Sequence, residues 1–252
     1  MSYSAQLLPT GGLHPVLQLT LNAPPSACPL YLHLDLPPSF IPDRFQLAQL
    51  HSEGRLGAPS TSAASLVVEG SRDLEGPSKG AEASGVLLRL REGGDAKGKG
   101  KEVLQETFEL PLHLRYQPPV PRRWNEQGER VDSVRVELGW PTVFWACEEG
   151  EAPPAPPPCP LSALPSSFSL PLSSFTSLHF LSPSNLANTL TSSCPPTLPP
   201  PLALPVPTGV IADLPLVESV NVLAIWLGMM WIGWTAFKAW SKDCKGGKMK
   251  RE

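Results

Sequence analysis

Residues Cys28–Pro38 read CPLYLHLDLPP. Leu30, Leu32, Leu34 and Leu36 fall on one face of an extended chain, with Tyr31, His33 and Asp35 on the other. Side chains that alternate with a period of two belong to a strand with one buried face. Leucine is not a strong strand former, but Pro29 before the run and Pro37–Pro38 after it confine it to strand length. Phe108–Tyr116 (FELPLHLRY) repeats the pattern: Phe108, Leu110, Leu112, Leu114 and Tyr116 oppose Glu109, His113 and Arg115. Val16–Leu21 (VLQLTL), Val86–Arg91 (VLLRLR) and Val134–Leu138 (VRVEL) are shorter versions. Short strands with one polar face each predict a mainly β fold, an antiparallel sheet or sandwich, over residues 1–150. Asp43–His51 (DRFQLAQLH) is the best local helix, and 52–79 and 93–101 read as loop insertions.

Composition changes sharply after PTVFWAC (Pro141–Cys147). In that stretch Val143 and Trp145 face one way and Phe144 the other, the pattern of a strand buried on both faces. More than half of the chain's 32 Pro lie in residues 151–216, a density foreign to helix and sheet interiors. That segment reads as a Pro/Ser-rich low-complexity tether, which as a flexible coil would span on the order of 45 Å.

The next segment, Val220–Trp240 (VNVLAIWLGMMWIGWTAFKAW), has about the length and apolarity of a transmembrane helix. Its span is expected over 217–240, with Trp226, Trp231, Trp234 and Trp240 available near an interface. No Lys or Arg occurs between Arg135 and Lys238, whereas Lys238, Lys242, Lys245, Lys248, Lys250 and Arg251 crowd the end of the chain. The positive-inside rule places the basic tail, 241–252, in the cytosol and the bulk of the chain across the membrane. The N-terminal residues lack the basic and unbroken apolar regions of a signal peptide, which points the other way; the charge bias is preferred. A net charge of −3 gives no sign of a nucleic-acid partner.

Chemistry-bearing motifs are scarce. No phosphate-binding glycine loop, HExxH or CxxC is present, and no N-x-S/T sequon. His33, Asp35 and His113 would be the acid–base set of a processing enzyme if they converged, but they read more simply as outward polar halves of strands. No cofactor or metal is expected. If the domain lies outside the cytosol, Cys28 and Cys147 can pair, closing a long loop worth about 4–5 kcal/mol in the chain-entropy model. In the cytosol both would be small buried hydrophobes. Cys159 and Cys194 pair or stay idle, and Cys244 is a palmitoylation site or an inert thiol.

CPLYLHLDLPPSFIPDRFQLAQL (Cys28–Leu50), RDLEGP (Arg72–Pro77), ELPLHLRYQPP (Glu109–Pro119) and PTVFWAC, followed by one C-terminal span, together resemble the PIG-X/PBN family. The matching motif residues are Asp43, Asp73, Glu75, Pro111, His113, Arg115, Tyr116, Pro141, Phe144 and Trp145. The resemblance implies a lumenal β-rich domain anchored in the endoplasmic reticulum by a single pass, a setting that allows a Cys28–Cys147 disulfide. It also implies a non-catalytic subunit of glycosylphosphatidylinositol (GPI) mannosyltransferase I. Such a subunit binds and stabilises a multispanning partner that adds the first mannose from dolichol-phosphate-mannose. The alternative is a tail-anchored adaptor facing the cytosol, with its PPAPPP run as a polyproline ligand.

Overall fold

The computed structural model describes residues 1–10, 12–56, 65–71, 73–74, 76–94, 104–128, 130–150, 157–163, 175–184, 194 and 198–246. The described residues divide into two compact units: Met1–Pro118 with Ser133–Pro207, and Pro119–Asp132 with Thr208–Glu252.

In the first unit the alternating runs form strands as expected. β1 (Ser2–Leu8) and β2 (Val16–Ala23) are followed by β3 (Leu30–Leu36) and β4 (Phe40–Ile41). Helix α1 (Arg44–Ser52) comes next, its N-terminus capped by Asp43, whose carboxylate accepts from the Phe45 and Gln46 N–H groups. β5 (Leu66–Glu69), β6 (Ser84–Arg91), β7 (Leu104–Pro111) and β8 (His113–Leu114) complete the N-terminal part. One sheet is built around β1, β2 and β7, with β2 antiparallel to both neighbours. β3 and β6 are central in the other sheet and pair antiparallel from Leu30 to Leu36. Beyond the second unit's short strands, β9 (Arg123–Trp124) and β10 (Arg130–Val131), β11 (Ser133–Leu138) and β12 (Thr142–Cys147) return to the first unit. β12 lies antiparallel beside β3, so the stretch at the compositional border is an interior strand.

Side chains from the two sheets share one core. Leu17, Leu19 and Leu21 of β2 meet Leu30, Leu32, Leu34 and Leu36 of β3, Val86, Leu88 and Leu90 of β6, and Val143 and Trp145 of β12. The arrangement is an antiparallel β-sandwich. Phe144 points the other way, into a second apolar cluster with Tyr31, Leu87 and Phe180. Tyr31 stacks on Phe144 at 5.9 Å between ring centroids. This second cluster changes the reading of β3. Tyr31 and His33, expected to face water, are both buried, and of that face only Asp35 is exposed. The alternation in the sequence is genuine, but the sheet has apolar cover on both faces.

The segment expected to be a tether is the main correction. It contributes β13 (Ser177–Phe180), β14 (Ser182–Pro183) and β15 (Leu202–Pro207), besides a short 3-10 turn at Leu161–Ala163. β13 extends the sheet beside β12, and β14 adds a short parallel pair at β1. β15 pairs with β11 from Leu138↔Leu202 to Ser133↔Pro207, and Leu204 and Val206 reach the main core. Proline is tolerated because these are edge strands: β15 has one partner, so Pro205 and Pro207 need not donate to a second ladder. The expected domain boundary at residue 150 therefore moves. Strands 177–207 join the sandwich, and Pro119–Asp132 leaves it for the second unit. Within the expected loop 52–79, β5 is a further strand; residues 95–101 of the other loop fall outside the described set.

The second unit holds the β9–β10 hairpin and helix α2 (Leu214–Gly246). α2 begins three residues before the expected span and continues into the expected tail. The interval Ile211–Ser241 is long and apolar enough to cross a membrane; an 18-residue stretch within it has a mean hydropathy of 1.6 and is not buried within the molecule. Near its C-terminal end the Lys238 ammonium sits 5.2 Å from the Trp234 ring centroid, a cation–π contact suited to an interface.

Candidate interaction site

Three of the motifs that are distant in sequence meet at Arg115. The strand expected to run from Phe108 to Tyr116 breaks at Pro111, which ends the β7 ladder at Val16. The chain then crosses to β4, pairing Ile41 with His113 and Phe40 with Leu114. The alternation survives this break as far as Leu114, with Leu110, Leu112 and Leu114 all buried, and shifts only after it. Arg115, expected outward, is 1% exposed, and Tyr116, expected inward, is 66% exposed.

The two terminal nitrogens of the buried guanidinium are held by the RDLEGP loop and the serine before it. Its Nη1 donates to the carbonyls of Asp73 (2.5 Å) and Gly76 (3.1 Å), and Nη2 donates to Ser71 Oγ (2.9 Å). A buried cation is tolerable only with such partners. The Asp73 carboxylate accepts from the Gly76 N–H at 3.0 Å, which closes the loop on itself. A Cβ added at Gly76 would lie 2.7 Å from Asp73 Oδ2 and 3.0 Å from Arg115 Nη1, so a side chain there would have to displace these two groups. Neighbouring bonds lock the same junction. Arg115 N–H donates to Ser39 O, Ser78 N–H donates to Tyr116 O, and Ser39 and Ser78 hydroxyls both donate to Gln117 Oε1. Glu75 of the same motif lies outside the described residues.

His113 belongs to a separate polar contact on the same element. Its Nδ1 lies 3.0 Å from His14 Nδ1, and its Nε2 lies 3.1 Å from Gln46 Oε1 on α1. Burial holds its pKa below the ordinary histidine value, with the His14 charge acting in the same direction and Asp43 against it. His33 lies on β3, 3.7 Å from Asp35, and its pKa is also lowered, chiefly by burial. The structure does not bring His33, Asp35 and His113 into one constellation. Among the described residues no group of three His, Cys, Asp or Glu is placed to hold a metal ion.

The fourth motif anchors the opposite side of β3. The Tyr3 hydroxyl donates to the Pro141 carbonyl at 2.6 Å in a buried bond, tying the first strand to the start of β12. Trp145 is fully buried, and Cys147 at the end of β12 is disulfide-bonded to Cys28, with Cα atoms 4.9 Å apart. A second disulfide joins Cys159 to Cys194. Residues missed by the sequence reading include His51, a buried imidazole at the end of α1 held between Leu56 O and Ser65 Oγ. Nothing in its local pattern separates it from an exposed helix residue.

Each of the three motifs leaves one apolar side chain exposed: Phe45 (79% exposed), Leu74 (41%) and Tyr116. Fold and site define a disulfide-linked β-sandwich with a helix able to span a membrane, whose motif residues converge on a structural arginine.

The pattern of one family, PIG-X / PBN1, matches residues 10–237. The chain belongs to that family. It is 34% identical over 159 residues to Protein pbn1 of Emericella nidulans, covering 58% of this chain and 27% of that protein. It is 32% identical over 154 residues to Protein PBN1 of Gibberella zeae (59% and 28%) and 29% identical over 153 residues to Protein pbn1 of Schizosaccharomyces pombe (58% and 41%). The aligned part thus spans well under half the length of these curated relatives.

Proposed function

We propose that this protein is a non-catalytic subunit of the GPI-anchor pathway in the endoplasmic reticulum membrane. It binds and stabilises the multispanning mannosyltransferase that adds the first mannose from dolichol-phosphate-mannose to the GPI intermediate. The sandwich is lumenal, and the basic tail is cytosolic. The observation that carries an interaction role is the convergence of three family motifs on buried Arg115, each motif leaving one apolar side chain exposed: Phe45, Leu74 and Tyr116. Exposed aromatic side chains on a rigid support are the usual anchors of a protein interface. Family membership supports the pathway. Two disulfides support the lumenal side, since such bonds persist in oxidising compartments.

Detergent pull-down of the full chain tests the reading. A mannosyltransferase should co-purify, and its level should fall when this chain is depleted. Phe45→Ala with Tyr116→Ala should weaken capture while leaving this chain folded. Unchanged mannosyltransferase level and activity after depletion would refute it. Protease treatment of sealed microsomes checks the topology. Digestion of the sandwich from outside would favour the cytosolic adaptor instead.

A further inference from the structure

β7 ends its sheet. Among the described residues it pairs with β2 alone, over all eight of its residues and in unbroken register. The bonds just beyond it fix which backbone groups face outward. Leu112 N–H donates to Pro15 O (2.9 Å) and Leu114 N–H to Leu13 O (2.7 Å), both continuing the Pro111↔Val16 register. In an antiparallel ladder, residues that bond the neighbouring strand alternate with residues that point away from it. The even-numbered residues of β7 therefore bond β2, and the backbone N–H and C=O groups of Gln105, Thr107 and Glu109 point out of the sheet. The side chains of the same three residues are exposed.

A free edge of this length is ordinarily blunted by proline, lysine, a bulge or an inward charge. β15 carries Pro205 and Pro207, while β5 and β13 are only four residues each. β7 has no lysine and no proline before Pro111, and the carboxylate of Glu106 is taken up by Arg91 at 2.9 Å. The outward residues are also complementary to themselves. Turned about a twofold axis through Thr107, a second β7 sets Thr107 opposite Thr107 and Gln105 opposite Glu109 on both sides. Each facing pair exchanges both backbone bonds. Threonines face each other favourably across strands. Glu109 accepts from Gln18 through Oε1, which leaves Oε2 for the Gln105 amide of the second copy. The two Glu109 carboxylates stand about 14 Å apart along the strands, beyond the screening length of ~8–10 Å. Moving the axis to Phe108 sets Gln105 against Pro111, which has no N–H to give. Moving it to Glu109 brings two glutamates face to face.

We infer that this protein self-associates through β7: two copies pair antiparallel about Thr107 and join their β14–β1–β2–β7 sheets into one. The mode is strand addition, with a second copy of this chain supplying the strand. It uses groups of the first unit alone.

Cross-linking of the full chain in detergent tests it, with Cys244→Ser removing the one cysteine outside the two disulfides. Facing residues in such a pair have Cα atoms about 5.5 Å apart, within disulfide reach. Thr107→Cys should therefore give a covalent dimer on oxidation, whereas Ser133→Cys, exposed at the start of β11, should not. Gln105→Cys and Glu109→Cys should each stay monomeric alone and link to each other when the two variants are mixed, which fixes the register. Thr107→Lys sets two ammonium groups face to face and should raise the dissociation constant of the dimer about ten-fold, read by sedimentation velocity, with the urea midpoint unchanged. Equal linking at 107 and 133, or a native chain that stays monomeric with no link at 107, would overturn the inference. A Thr107→Cys chain that links in microsomes to a different protein and never to itself would also overturn it, and would reassign the edge to a strand of that partner. The readout needs no mannosyltransferase, so it stands or falls separately from the function proposed above.

Discussion

Breaking the Cys28–Cys147 bond should show whether β12 is stapled to the start of β3 or merely packed there. The bond closes 119 residues. In the chain-entropy treatment a loop of that length contributes about 5 kcal/mol by restricting the unfolded chain. Both sulfurs are buried, Cys28 2% exposed and Cys147 0%, so serine at either site also leaves a buried hydroxyl and an orphaned thiol. A typical domain is stable by only about 5–15 kcal/mol, so the loss is a large share. For a urea slope of about 2–3 kcal/mol/M, the midpoint should fall by roughly 2 M. The assay is pulse proteolysis of the full chain in detergent across a urea series, which reads unfolding of the sandwich while α2 stays in its micelle. Cys28→Ser, Cys147→Ser and the double variant should shift the midpoint by nearly the same amount, because each removes the same covalent link. The Cys159–Cys194 bond closes a separate loop of 35 residues. Its loss should add, at about 4 kcal/mol, to that of the first. If the two single shifts at Cys28 and Cys147 sum in the double variant, or if neither exceeds a few tenths of a molar, the staple is not what holds the border strand.

Arg115→Ala removes three hydrogen bonds from a buried guanidinium and should destabilise the sandwich by about 3 kcal/mol. Arg115→Lys should recover only part of this, since an ammonium lacks the planar fork; urea midpoints read both, and protease cutting near Asp73 should rise. Stability should decline as pH falls below about 6.5. His33 and His113 both resist protonation in the folded state, so the unfolded chain binds more protons there and is favoured. Midpoints at pH 7.5 and 5.5 should differ less in His113→Gln than in the native chain. Asp43→Ala should cost about 1 kcal/mol through loss of the α1 cap, and Asp43→Ser should restore most of it, by the same measurement.

Much of the fold was legible because it is written in local periods. The leucine alternation at 30–36, the short helix beginning near Asp43 and the apolar run after Val220 are each dictated by neighbours in sequence. The double-faced burial of PTVFWAC was legible for the same reason, since no polar residue breaks it between Val143 and Cys147. The candidate site was legible as a set of motif residues and not as an arrangement. Arg115 and Tyr116 exchange their expected faces just past Leu114, where the β4–β8 pairing ends, and the exchange depends on the Asp73–Gly76 loop being there to take up the guanidinium.

By itself, then, the sequence determined the elements that a few adjacent residues specify: short apolar strands, one capped helix and one span-length helix. Tertiary structure decided what requires distant partners. It made strands of a proline-rich segment, because an edge position asks each residue for only one ladder of hydrogen bonds. It buried Tyr31 and His33 by covering the second face of their sheet, and it buried Arg115 by wrapping it in carbonyls from a loop some forty residues away. Periodicity reports which side chains share a face; only the assembled chain reports what comes to cover that face.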